Sequence, residues 1–147
     1  MFNIDVELKL LDESVAIPEY AHEFDSGFDL IANNPFGIVL DVGNIVCIPT
    51  GISVAVPAGY ELQVRSRSGL ALKNGIVVLN SPGTVYAGFR GEIGVILINH
   101  GYKDFVITRG MKIAQGVIAP VMKAKFITVS ELSPSDRGSG GFGSTGV

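Results

Sequence analysis

Tryptophan is absent from the 147 residues, cysteine occurs once (Cys47) and histidine twice (His22 and His100). A single thiol excludes an internal disulfide framework and points to a reducing compartment. The two imidazoles lie far apart without neighbouring thiols, so no zinc-ligand spacing exists. No apolar run approaches the ~18 residues of a membrane span. The opening Met1-Phe2-Asn3-Ile4-Asp5 lacks the basic head of a signal peptide, so a cytoplasmic chain is expected. Bases are nearly missing from the first part: residues 1–64 hold ten acids and one base, Lys9. Residues 65–147 reverse this, with ten bases and four acids. Nucleic acid usually asks for a more basic domain than a net charge of −3 supplies. The cations that begin at Arg65 suit a small anionic ligand better.

Glycine and proline are plentiful, at 19 and 7 residues, above the roughly 12% average share. That excess suits many tight turns rather than long helices. The dominant period is two. Phe2, Ile4, Val6, Leu8 and Leu10 alternate with polar residues, as do Ile52, Val54 and Val56, and Tyr60, Leu62 and Val64. Further β-branched runs cover 75–79, 93–98, 105–107, 113–118 and 126–129. Turn residues separate them at Pro49-Thr50-Gly51, Pro57-Ala58-Gly59, Ser81-Pro82-Gly83, His100-Gly101 and Arg109-Gly110. The single helical candidate is Ser68 to Asn74, with Gly75 as its stop. These features predict an all-β barrel or sandwich with one short helix, in a single domain large enough to bury a core.

Four segments have the residue types for chemistry. Asp25-Ser26-Gly27-Phe28-Asp29-Leu30 puts carboxylates in a loop before an apolar run, suited to hydrated Mg²⁺ or simply to solvation. Arg65-Ser66-Arg67-Ser68-Gly69 offers guanidinium, hydroxyl and free N–H groups to an anion, with Ser68 as helix N-cap. Asn80 to Glu92 reads as a long hairpin whose Asn80 amide has the donor and acceptor to read a nucleobase edge. The tail from Arg137 contains G-x-G-x-x-G at Gly138, Gly140 and Gly143. A dinucleotide fingerprint needs a helix after that string, and only four residues follow Gly143 in this sequence. It also lacks the P-loop lysine. Composition alone favours a disordered tail, while Arg137, Ser144 and Thr145 are the parts that wrap a polyphosphate terminus.

In this order, with Gly110-Met-Lys-Ile-Ala-Gln115 before the tail, the segments resemble the homotrimeric deoxyuridine triphosphate nucleotidohydrolases (dUTPases) over essentially the whole chain. The resemblance implies a distorted jelly-roll domain over 1–136 and a flexible Gly-rich arm, 137–147, that closes over nucleotide. It implies a homotrimer with active sites shared between subunits, and Mg²⁺-dependent hydrolysis of dUTP to dUMP and pyrophosphate. By the same resemblance Asp29 holds magnesium through water, and Arg67, Ser68 and Gly69 contact phosphate. Asn80 and the hairpin backbone from Gly83 through Thr84 and Val85 to Phe89 form the uracil pocket, with the Phe89 ring under deoxyribose. Gln115 lies near the α-phosphate. Arg137, Phe142, Gly143, Ser144 and Thr145 belong to the arm, the Phe stacking on uracil.

One position departs from the family pattern. Gly83-Thr84-Val85 is followed by Tyr86 where the family has the Asp that binds the 3′-hydroxyl and activates the attacking water. A phenol, with a pKa of about 10, is not a base at neutral pH. Losing a positioned general base costs about 10²–10⁴ in rate, so strongly impaired turnover is expected. A lesser departure is Ser66, often Pro in relatives, expected to add a hydroxyl near phosphate. Two other readings remain: a non-hydrolysing nucleotide-binding or interaction protein, and a dCTP deaminase relative. The latter needs a water-activating Glu that the hairpin lacks. His22 and His100 are expected at the surface, and Cys47 in the core or an interface.

Overall fold

The computed structural model describes residues 3–147. Its elements are β1 (Glu7–Leu10), β2 (Phe28–Ile31), β3 (Ile38–Leu40), β4 (Ile45–Ala55), β5 (Tyr60–Arg65), α1 (Ser68–Asn74), β6 (Ile76–Val78), β7 (Gly83–Val85), β8 (Glu92–Asn99), β9 (Phe105–Ile107) and β10 (Lys112–Pro120). Two four-stranded antiparallel sheets, in the orders β1-β4-β8-β6 and β2-β10-β5-β7, are accompanied by a two-stranded β3-β9 ribbon. This is an all-β distorted jelly roll. Period-two alternation builds it because each strand turns one row of side chains inward. Ile48, Val54, Ile93, Val95 and Leu97 from the first sheet meet Leu30, Leu62, Val64 and Ile113 from the second in one buried cluster. Each such side chain contributes roughly 1.5–3 kcal/mol on burial. Among the described residues, no helix is long and apolar enough to cross a membrane.

The helix runs over the expected residues. Gly75 ends it in the left-handed region (φ 68°), donating its N–H to Ala71 O. Four expectations need correction. Pro49-Thr50-Gly51 is no turn: β4 runs through it, and the extra residues form a bulge between the Pro49–Gly94 and Ser53–Glu92 pairs. The Glu92 carboxylate accepts from Gly51 N–H at 2.8 Å, and the Thr50 hydroxyl donates to Ile93 O at 2.6 Å. These bonds replace the sheet ladder that the bulge interrupts. Secondly, residues 126–129 form no strand, and Phe126 and Ile127 are 92% and 76% exposed. A β-branched run needs a neighbouring edge to pair with, and within this chain the segment finds none. Thirdly, the first strand begins at Glu7 rather than in the opening residues; Phe2 lies outside the described residues. Finally, of the two places expected for Cys47, the core is excluded, since the side chain is exposed on β4 of the single chain.

Candidate functional site

β10 lies between β2 and β5, and this placement builds the site. Gln115 pairs with Asp29 on one side and with Arg65 on the other. Asp29 therefore sits within a strand, not in the loop its glycine-flanked sequence suggested. Beyond Arg65 the chain leaves the sheet and enters α1, so Arg67 and Ser68 come to the same end of β10. The result is a cleft of about 430 Å³, whose walls include His22, Asp25, Asp29, Arg67, Ser68 and Gln115. Gly69 and Lys112 also line it.

The carboxylate of Asp29 is the electrostatic centre of this cleft. Arg67 Nε lies 3.2 Å from its Oδ1, and Lys112 Nζ lies 2.6 Å from its Oδ2. Arg67 is further anchored by donating to Lys112 O at 3.1 Å. Gln115 donates its Nε2 to Ser66 O at 2.9 Å, and its Oε1 packs so closely on Gly27 that a Cβ there would collide with it. Ser66 does not offer its hydroxyl to the cleft: Oγ accepts from Val78 N–H at 2.8 Å, pinning the start of α1 to β6. Ser68 is the first helical residue rather than the cap; Arg67 occupies the cap position without a side-chain cap bond. The first-turn N–H groups are thus left without that partner.

Two other groups of sequence-derived candidates stand elsewhere. Asn80, Gly83, Thr84, Val85, Tyr86 and Phe89 belong to the segment joining β6 to β8. That segment is not a free hairpin loop, because β7 crosses to the second sheet and pairs with β5 through Val64–Gly83, Gln63–Thr84 and Leu62–Val85. The Asn80 amide lies over Gly83, where a Cβ would approach Nδ2 to 3.1 Å. Phe89 N–H donates to Tyr86 O at 3.0 Å, and Arg90 ties the turn by donating to Ala87 O and Phe89 O at 2.6 and 2.9 Å. The Tyr86 ring is 70% exposed, and the Phe89 ring covers Gly91. Arg137, Phe142, Gly143, Ser144 and Thr145 lie in an irregular, exposed stretch whose bonds are local turns, such as Gly140 N–H to Arg137 O at 3.1 Å. None of these residues lines the cleft of Asp29.

Sequence reasoning missed Lys112 and the cleft-facing position of His22. The Gly110–Gln115 segment was singled out, yet nothing in its spacing brings Lys112 to Asp29. Among the described residues no group of three His, Cys, Asp or Glu side chains converges as a metal cage. The donor set fits a magnesium ion bound mainly by phosphate oxygens and waters, with one carboxylate holding the water shell.

A family model described as dUTPase matches residues 13–146. The deoxyuridine 5′-triphosphate nucleotidohydrolase of Clostridium tetani is 52% identical over 146 residues, 99% of each chain. That of Rickettsia felis is 54% identical over 143 residues, 97% of each. Among solved structures, the dUTPase of Staphylococcus bacteriophage 80alpha with dUpNHpp aligns at a TM-score of 0.89 and 29% identity, covering 99% of this chain and 100% of that one. The dUTPase of phage phi11 of S. aureus, described with a structural Mg(II) ion, aligns at 0.79 and 26% identity over 87% and 98%.

Proposed function

This chain belongs to the dUTPase family, and from that premise we propose that it is a dUTP diphosphatase whose turnover is limited by Tyr86. The observation that carries the reading is the convergence of Asp29, Arg67, Ser68 and Gln115 on one cleft. Those are the side chains that the resemblance assigns to the metal-bound triphosphate.

The reaction is attack of water at the α-phosphorus of dUTP, breaking its bond to the α–β bridging oxygen and releasing dUMP and pyrophosphate. Arg67 and the N–H groups after it bind phosphate oxygens. The Ser68 hydroxyl donates toward the bridging oxygen, where negative charge grows as the bond breaks. Gln115, fixed by its bond to Ser66 O, borders the α-phosphate. Asp29 would hold magnesium through water, and a bound magnesium ion would supply charge neutralisation for the triphosphate. Uracil is read by the Asn80–Phe89 segment, with Phe89 under the sugar. Arg137, Ser144 and Thr145 reach the γ-phosphate, and Phe142 covers the base.

These three groups do not meet within one chain, which supports a homotrimer whose sites draw on several subunits. The exposed apolar stretch with Phe126, Ile127 and Leu132 supports it too. Tyr86 occupies the position of the water-activating carboxylate. Its ring is too large for that place and lacks the basicity, so water activation fails first and sugar binding is weakened. The same feature favours one second reading, a nucleotide-binding protein that no longer hydrolyses.

Measuring pyrophosphate release from dUTP by the unaltered chain and by Tyr86→Asp separates the possibilities. The variant is expected to be about 10²–10⁴ faster. Equal rates would sink the role given to Tyr86. Tight dUpNHpp binding by the unaltered chain with no detectable pyrophosphate would favour the second reading.

A further inference from the structure

We infer that Lys112 is a further triphosphate-binding residue, held ready on Asp29 by a bulge in β10; the inference rests on the proposed dUTP reading. Lys112 and Gln115 are three apart on one strand, and regular alternation would send them to opposite faces of the sheet. The register breaks between them: Lys112 pairs with Ile31, yet Ala114 pairs with Leu30. Ile113 and Ala114 are both buried. The extra residue turns the strand so that Lys112 and Gln115 both line the cleft.

The ion pairing at Asp29 then distinguishes its two cations. Arg67 is anchored twice, to the carboxylate and to Lys112 O. Among the described residues the Lys112 side chain makes one polar contact, its ion pair with Asp29, and it is 51% exposed. A half-exposed ion pair of this kind is weak and cheap to exchange. The other acid of the cleft, Asp25, is already engaged, accepting His22 N–H at 2.9 Å. A compact ammonium on a four-carbon stem is free to turn from one carboxylate to a polyanion entering the same cleft. Phosphate oxygens with several negative charges outcompete the single carboxylate, which keeps Arg67 as its partner. Lys112 thus neutralises Asp29 while the cleft is empty and phosphate when it is filled.

Calorimetric titrations in EDTA, without divalent cations, test this using dUpNHpp and dUMP. They compare the unaltered chain with Lys112→Met and Lys112→Arg, each also in a Tyr86→Asp background. Lys112→Met is expected to weaken dUpNHpp about tenfold, the loss of one charge-assisted contact. It should leave dUMP within about twofold, and Lys112→Arg should restore most of the affinity. Unchanged dUpNHpp affinity in Lys112→Met, beside clear binding by its parent, overturns the role of Lys112 alone. Equal losses for dUMP and dUpNHpp overturn it as well, since they mark a structural role. Failure of both the unaltered chain and Tyr86→Asp to bind dUpNHpp, in EDTA and with Mg²⁺ added alike, overturns the dUTP reading, and this inference with it.

Discussion

Asp12, an exposed carboxylate, holds together a polar knot with Ser14, Asn33 and Arg109. The Ser14 hydroxyl and N–H, Asn33 Nδ2 and Arg109 all converge on it, with Asn33 Nδ2 at 2.9 Å. Arg109 also donates to Asn33 Oδ1 at 3.1 Å. The hydrogen bonds from Ser14 and Asn33, helped by the Arg109 charge, bring the Asp12 carboxyl down to about 2. A folded pKa below the unfolded one adds stability above the unfolded value, and that stability is lost as pH falls through the folded value. Asp12→Asn is therefore expected to lower Tm at pH 6, with the gap to the unaltered chain closing between pH 4 and about 2. A gap that stays constant over that range would remove the ionised carboxylate from the explanation. The knot bears on the proposed site because Arg109 anchors the turn that immediately precedes Lys112 and β10. That network was not legible in the sequence, since Asp12, Asn33 and Arg109 are distant along the chain and none sits in a motif.

At the level of elements, the joint between the C-terminal end of α1 and the turn before β9 is a tight backbone approach. A Cβ on Gly75 would collide with Gly101 N and lie 2.6 Å from its Cα, and Gly75 has φ of 68°. His100 N–H also donates to Gly75 O at 2.8 Å, so the two segments cannot easily separate. Gly75→Ala should cost at least about 1–2 kcal/mol from the left-handed conformation alone, read as a lower urea midpoint at unchanged m. An unchanged midpoint would show that the backbone yields there at little cost. The identity of the helix and its stop were readable because both depend on local signals. The strand runs were readable for the same reason, through alternation. The β4 bulge was not: Pro49-Thr50-Gly51 has turn chemistry, and only Glu92 and Ile93 across the sheet turn it into a continuous strand.

For the whole molecule, the question is what covers the stretch from Val121 onward. Phe126, Ile127 and Leu132 are all largely exposed along one segment, the kind of apolar stretch that marks an interaction surface. The proposed trimer would bury that stretch against other subunits. Native mass measurement is expected to give three copies of the 15.5 kDa chain. The double substitution Phe126→Asp and Ile127→Asp should shift it toward single chains and reduce dUTP turnover with it. A chain that runs as a single copy before any substitution would refute shared sites.

The sequence by itself determined the strand-rich architecture, the helix from Ser68 to Asn74 and the residues matching the family. Alternation, turn chemistry and motif order are local properties and survive being read in one dimension. The tertiary structure alone decided which of those residues meet. Antiparallel register across β2, β10 and β5 puts Asp29 beside Gln115, and one bulged residue decides that Lys112 faces Asp29 rather than the opposite side of the sheet. A shift of one residue reverses every side chain on a strand, so no reading of β10 alone could have assigned Lys112 its partner.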